Sequence, residues 1–156
     1  MAQVATSISP DAREAIVDGL TQSLAETAIT TLKAQNFHWN VTGMAFGPLH
    51  ALFQEIYEEH FVAQDALAER IKALEAHAEG RYSEYLKRSR VTEDEGKGTD
   101  RDMIAAMQAD QEQLSSTLRA LAVVAEEHGD VVTNDMAIGR AETHDKYAWI
   151  LRSHLK

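Results

Sequence analysis

Four side chains in one stretch, NFHWNVTGMAFGPLHALFQEIYEEHFVAQDALAERI, could do chemistry together: His38, His50, Asp65 and Glu69. Imidazole and carboxylate are donors that suit first-row divalent metals such as iron or zinc, and positions left open on such an ion can admit an oxidant. Spacing decides how they could meet. On one helix, His50 lies roughly 22 Å from Asp65 at 1.5 Å rise per residue. One chain therefore cannot close a site from all four. Two chains meeting about a twofold axis can, with His50 of one beside Asp65 and Glu69 of the other, and such an interface yields two identical sites.

The elements that must position these residues are all helical. Two prolines and eight glycines among 156 residues, with abundant Ala, Leu, Glu and Gln, favour helix throughout. Ser9-Pro10 reads as an N-cap followed by proline in the first turn. Ile16, Leu20, Leu24, Ala28 and Leu32 carry a first helix to about Phe37 or His38, and Gly43 marks its end. Gly47-Pro48 starts a second helix, with a stripe of Leu49, Leu52, Phe53, Ile56, Ala63, Leu67, Ile71 and Leu74 broken only by His60. Periodicity fades between Gly80 and Gly98, where SEYLKRS can form a short helix. Thr99 and Asp102 make an acid-closed capping box. Ile104, Met107, Gln111, Leu114, Leu118, Leu121 and Val124/Ala125 then lead to Gly129. Asp130 or Thr133 caps a last helix whose apolar residues include Met136, Ile138, Tyr147, Ile150 and Leu151. The expected fold is all-α: a four-helix bundle of ferritin-like connectivity, with a long central crossover carrying a short helix. It is expected to occupy residues 1–156 as one domain, with 1–8 a flexible tail.

On the second helix, His50, Gln54, Glu58, Phe61, Asp65 and Glu69 share one narrow stripe facing away from the Ala63/Leu67 line. An outward acidic stripe is ordinarily solvated surface. Phe61 at its middle argues for a buried contact instead. Pairing this helix antiparallel with its symmetry mate about Glu58–Phe61 brings His50 beside the partner's acids. Asp65 and Glu69 are like charges one turn apart, which repel unless a cation lies between them. His38 joins through the short loop that separates it from His50. An intrachain di-iron centre built on Glu-x-x-His motifs is excluded, because none of the seven histidines follows a glutamate by three residues.

Composition narrows the functional classes further. A formal net charge of -10 opposes binding to a phosphate backbone and favours attraction of cations. No apolar run approaches the ~20 residues needed to span a bilayer, and the first residues lack the basic and apolar blocks of a secretory signal. The absence of cysteine removes disulfides and thiol nucleophiles and fits a cytoplasmic protein.

FHWNVTG, GPLHALF and D-x-x-A-E-R-I, at these spacings, resemble the signature of the Dps family, the mini-ferritins of starved or oxidatively stressed bacteria. The likeness extends through the crossover to GDVVTND and HDKYAWILRSHL. It implies a hollow dodecamer whose ferroxidase centres take His38 and His50 from one subunit and Asp65 and Glu69 from its neighbour. Iron would be oxidised by hydrogen peroxide and stored as ferric mineral on interior acids such as Glu55, Glu58 and Glu59. Trp39 and Trp149 would be the aromatics that intercept one-electron oxidants; ordinary interface packing is the simpler reading of both, and the two are compatible. Asp130 and Asp135 match the segment that lines acidic threefold channels, with helix capping an equal explanation for Asp130.

Two departures qualify the resemblance. Gln54 stands where many members carry aspartate, which leaves the second iron position in question and makes zinc a possible occupant of the same centre. Members that condense DNA often carry a lysine-rich tail, whereas Arg13 is the only basic residue among the first 32 here. DNA binding is therefore expected to be weak or absent. The competing readings are a nucleoid protein that shields DNA physically, and a helical oligomer with vestigial ligands.

Overall fold

The computed structural model describes residues 8–156; the expected tail falls almost wholly outside them. Five helices follow in order: α1 Pro10–Asn40, α2 Phe46–Ala73, α3 Tyr82–Arg88, α4 Asp100–Glu127 and α5 Val131–Ser153. No strand occurs among the described residues. The principal packed pairs are α1 with α2, α4 with α5, and α1 with α4, while α3 lies against α1.

The caps follow the expected local chemistry. Ser9 Oγ accepts from the Ala12 N–H at 3.2 Å, and Pro10 opens α1. Thr99 and Asp102 form the capping box of α4. Asp130, not Thr133, caps α5: its carboxylate accepts from the Thr133 N–H at 3.0 Å. Gly43 and Gly129 follow the ends of α1 and α4 with φ of 112° and 73°, a region that favours glycine. Helix α2 begins at Phe46, slightly before Gly47-Pro48, and its N-cap Ala45 makes no side-chain cap bond.

The apolar stripes meet in two clusters. One joins Ile16, Leu20 and Leu24 of α1 to Leu67 and Ile71 of α2 and Leu118 and Leu121 of α4. The other joins Phe37, Leu49, Phe53, Ile56, Met103, Met107, Tyr147 and Leu151. Leu32 departs from its expected place in the α1 stripe, being 42% exposed. The reason is helical phase: steps of four residues advance about 40° each, so after four steps the side chain has left the face where Ile16 began. Ile138, 55% exposed, likewise lies off the buried α5 line of Ala137, Ala141, His144, Tyr147 and Leu151.

Helix α1 is surrounded by α2, α4 and α3, and its interior contacts include polar ones. Ser23, Glu26, Thr27, Thr30, Thr31 and Lys33 are all buried. The hydroxyls of Ser23, Thr27, Thr30 and Thr31 each donate to a carbonyl four residues earlier, so burial leaves none of them unpaired. The α1 polar residues also hold the crossover. Gln22 donates to the Arg88 carbonyl, Glu26 accepts from the Arg90 N–H, Lys33 donates to the Thr92 carbonyl and Asn36 to the Asp94 carbonyl. Alternate residues 88, 90, 92 and 94 are thus caught along one helix. The lengths agree: fourteen helical residues rise about 21 Å and six extended residues span about 20 Å. This strap returns the chain toward the C-terminal end of α1, where Asp100 of α4 approaches Gly43. Near the other end, Gly19 packs so closely on Leu121 that a Cβ would lie 2.8 Å from its Cδ1. Helix α4 therefore runs opposite to α1, and α2 and α4 run in the same direction.

Candidate metal centre

His38 sits in the last turn of α1 and His50 in the first turn of α2, across the loop that joins them. Their Nδ1 atoms bond reciprocally to each other's backbone: His38 Nδ1 to the His50 carbonyl at 2.7 Å and His50 Nδ1 to the His38 carbonyl at 2.8 Å. A carbonyl oxygen can only accept, so both Nδ1 atoms carry hydrogen. In the neutral rings the lone pair is therefore at Nε2 in each case. The imidazoles stack with centroids 3.7 Å apart and 17° between planes. Phe46 stacks on His50 at 5.2 Å, and Tyr57 meets His38 edge-on at 5.3 Å. This is the support a ligating histidine needs: one nitrogen fixed by backbone and the ring held by packing, with the other nitrogen available.

The acids are elsewhere. Asp65 and Glu69 lie farther along α2, both exposed and outward-facing. The chain brings His38 and His50 together and keeps Asp65 and Glu69 away from them. Among the described residues, no three His, Cys, Asp or Glu side chains converge on a point suited to a metal ion. Between the two halves of the stripe, Gln54 is half-buried and its Nε2 donates to Glu58 Oε1 at 2.8 Å. Phe61 is 69% exposed in the single chain, and Val62 beside it is 68% exposed.

The model of the ferritin-like domain family matches residues 17–156. The DNA protection during starvation protein 2 of Bacillus anthracis is 31% identical over 140 residues, covering 90% of this chain and 96% of that protein. The crystal structure of Dps from Staphylococcus aureus superimposes with a TM-score of 0.89 at 34% identity, covering 92% of this chain and 96% of that one. The Vibrio cholerae O1 Dps protein, described as a member of a broad superfamily of ferritin-like diiron-carboxylate proteins, gives 0.91 at 28% identity, with 96% and 94% covered.

The chain belongs to the Dps family.

Within this Dps chain the remaining expected residues are dispersed. Trp39 follows His38 directly and is 64% exposed, lining an apolar cavity of about 420 Å³ with Leu32, Tyr82 and Leu86. Trp149 is on α5 and 58% exposed. Asp130 is buried, engaged as the α5 cap and by Arg70 Nη2 at 2.8 Å. Burial alone would raise its pKa, but the Thr133 and Arg70 bonds outweigh that and lower it. Asp135 is exposed. Of the second-helix acids, Glu55 accepts from Tyr147 Oη at 3.3 Å and Glu58 from Gln54, while Glu59 is bound by His60 and Arg140.

The residues around Glu59 form a polar cluster not anticipated from the sequence. His60, Gln111 and His144 are wholly buried, 0% exposed each, between α2, α4 and α5. The signal was present: His60 and Gln111 each interrupt an apolar stripe. Burial of a polar residue on such a stripe implies a partner on the facing helix.

No described helix is long and apolar enough to cross a membrane.

Proposed function

We propose that this Dps chain is a ferroxidase and iron store whose centres form between subunits of a dodecameric shell. The observation that carries the reading is the His38–His50 pair, with both Nδ1 atoms tied to backbone and both Nε2 lone pairs available. Asp65 and Glu69 of a neighbouring subunit complete the ligand set, as the exposed stripe and its central Phe61 allow.

Ferrous iron is the substrate. The imidazoles orient it without adding charge, and the two carboxylates compensate the ion. Hydrogen peroxide takes one electron from each of two ferrous ions; the O–O bond breaks, and two protons complete two molecules of water. No hydroxyl radical is released when the electrons arrive as a pair. Trp39 and Trp149 serve as sacrificial donors for one-electron oxidants that escape. Ferric product collects on acids inside the shell, Glu55 and Glu58 among them. Zinc competes for the same donors. The centre works in the cytoplasm, and the acidic chain binds DNA weakly or not at all near neutral pH and moderate salt.

Anaerobic ferrous titration of the purified oligomer, followed by a peroxide pulse, tests the reading. His50→Ala and Asp65→Ala should each slow oxidation by more than about 10-fold, since even outer-shell partners of metal ligands matter 10- to 100-fold. Unchanged rates in both variants would end it. The relatives named for DNA protection favour a second reading, physical shielding of DNA. A gel shift that survives moderate salt would establish that reading and overturn the charge argument.

A further inference from the structure

Two aromatic rings besides the imidazoles touch the histidine pair, and only one of them can be oxidised readily. Phe46, stacked on His50, is a plain phenyl. Tyr57 of α2 is a phenol, and it meets the His38 imidazole edge-on with centroids 5.3 Å apart and 79° between planes. Tyr57 is half-buried. A tyrosine hydroxyl so placed usually has a hydrogen-bond partner. Those of Tyr85 and Tyr147 do, whereas that of Tyr57 has none among the described residues. Tyr57 also lines a cavity of about 330 Å³ with Gln35, Glu58 and Phe61. The tryptophans are placed differently. Trp39 lines the cavity between α1 and α3, Trp149 lies on α5, and neither ring packs on His38 or His50.

Electron counting gives this contact a use. Hydrogen peroxide takes up two electrons on its way to water, and a ferrous ion gives one. Two imidazoles and two carboxylates suffice to hold one ion, and Gln54, an amide bonded to Glu58, adds no charge for a second. A centre holding one ferrous ion leaves peroxide an electron short, and the O–O bond would then break to hydroxide and hydroxyl radical.

We propose that Tyr57 supplies the second electron when the centre holds a single ferrous ion, through its contact with His38. The ion gives one electron, and the phenol gives one electron and its proton. With one further proton from solvent, the O–O bond breaks to two molecules of water, leaving a ferric ion and a neutral phenoxyl radical. A ferrous ion arriving later returns an electron and, with a proton, restores the phenol, so two ions are still oxidised per peroxide. Glu58, a carboxylate on the same cavity, gives the phenolic proton a route outward. Tyr57 has this role only within the ferroxidase reading, on which it rests; Trp39 and Trp149 meet the oxidant that escapes.

The test is freeze-quench electron paramagnetic resonance on the native oligomer, loaded anaerobically with one ferrous ion per centre and mixed with one equivalent of hydrogen peroxide. A phenoxyl signal is expected, narrowed when the protein is grown on ring-deuterated tyrosine. Tyr57→Phe, which keeps the edge contact, should lose it, and Trp39→Phe should keep it. A hydroxyl-radical spin trap should collect adduct from Tyr57→Phe and little from the native protein. No phenoxyl signal in the native protein, its persistence in Tyr57→Phe, or equal adduct in both would overturn the proposal. A nitroso trap on the native protein, followed by peptide mass, needs no variant to assemble: adduct on Tyr57 supports the proposal, and adduct on Tyr82, Tyr85 or Tyr147 instead overturns it. Oxidation that depends on His50 and Asp65 but yields no phenoxyl refutes the role of Tyr57 alone. Oxidation indifferent to both residues refutes the ferroxidase reading and this role with it.

Discussion

Acidification should weaken the fold well above the range where most carboxylates titrate, because a circuit of hydrogen bonds at the bundle centre closes only with both imidazoles neutral. Arg140 and Gln111 donate to the Nε2 atoms of His144 and His60, whose Nδ1 atoms donate to Gln111 and Glu59 respectively. Burial lowers the pKa of His60 despite the bond to Glu59, and lowers that of His144 well below 6.5. In the unfolded chain both return to about 6.5. The charged and titratable groups around them are Glu59 and Glu55 on α2 and Arg140 and Tyr147 on α5, while α4 contributes the neutral Gln111. Burial pushes Glu59 upward, but its bonds to His60 and Arg140 hold it at about 2, so it stays ionised through mild acid. Tyr147 is raised by burial, then by Glu55 and Glu59, and stays protonated.

A histidine whose folded pKa is depressed gives its full stability above the unfolded value and loses it as pH falls below that value. Between pH 7.5 and 5.5, a buried histidine that stays neutral throughout loses roughly 1.4 kcal/mol; His144, held well below 6.5, contributes this loss, and His60 adds to it in the same direction. Asp110 works the other way. Burial raises it to about 6 despite Lys33, so it takes up a proton in the folded chain within the same window. That offsets roughly 0.8 kcal/mol and leaves a net loss of at least about 0.6 kcal/mol, from His144 alone. With about 2.1 cal/mol/K of unfolding entropy per residue over this length, Tm should fall by at least about 2 °C. Calorimetry at constant ionic strength and subunit concentration reads this directly. In His60→Gln/His144→Gln the pH dependence should vanish or reverse, because the two depressed imidazoles are gone while the raised Asp110 carboxyl remains. A native Tm that is flat from pH 7.5 to 5.5, or a slope that persists in the double variant, would refute the neutral-ring account.

Other substitutions probe the supports and the candidate site. Asp110→Ala strands the buried Lys33 ammonium, now 2.8 Å from its carboxylate, and should cost about 3–5 kcal/mol in chemical unfolding, with Lys33→Met/Asp110→Leu recovering most of it. Gly96 has φ of 71°, and a Cβ there would lie 2.1 Å from Asn36 Oδ1, so Gly96→Ala should destabilise by more than about 1 kcal/mol and raise hydrogen exchange in the strap. Asp130→Ala removes the α5 cap and leaves Arg70 without its carboxylate, and should cost at least about 1 kcal/mol in thermal melts. Gln54→Asp supplies a carboxylate one turn from His50 and should tighten the weaker ferrous binding step in anaerobic titration; unchanged binding would remove position 54 from the site.

Local signals in the sequence gave a good account of the helices. Ser9, Thr99 and Asp130 announce helix starts because an unpaired N–H has few other acceptors, and the stripes of α2 and α4 hold almost residue for residue. Leu32 fails because a four-residue spacing is not the helical period. The crossover was harder. Its strap has no periodicity of its own, since its partners are single α1 side chains, Gln22, Glu26, Lys33 and Asn36, meeting backbone groups. The candidate site was legible as a spacing argument because His50 and Asp65 cannot meet on one helix. The central circuit was legible only as two polar interruptions, His60 and Gln111. Arg140 and His144 sit on a helix with weak apolar periodicity, and nothing local marks them as their partners.

The two cation environments of this Dps chain differ in one respect that bears on how it could work. In the centre, Glu59 already has Arg140, so its charge is neutralised within the subunit and the circuit helps hold α2, α4 and α5 together. On the outward stripe, Asp65 and Glu69 have no cation within salt-bridge distance among the described residues, and both stand exposed one turn apart. Like charges so placed raise the energy of the isolated surface. A partner bringing His38 and His50 with a metal ion would relieve that repulsion, so on the proposed reading metal binding and subunit pairing reinforce each other. Linkage then requires the converse: whatever strengthens pairing strengthens metal binding by the same factor. The internal arginine, paired within one subunit, gives no such coupling.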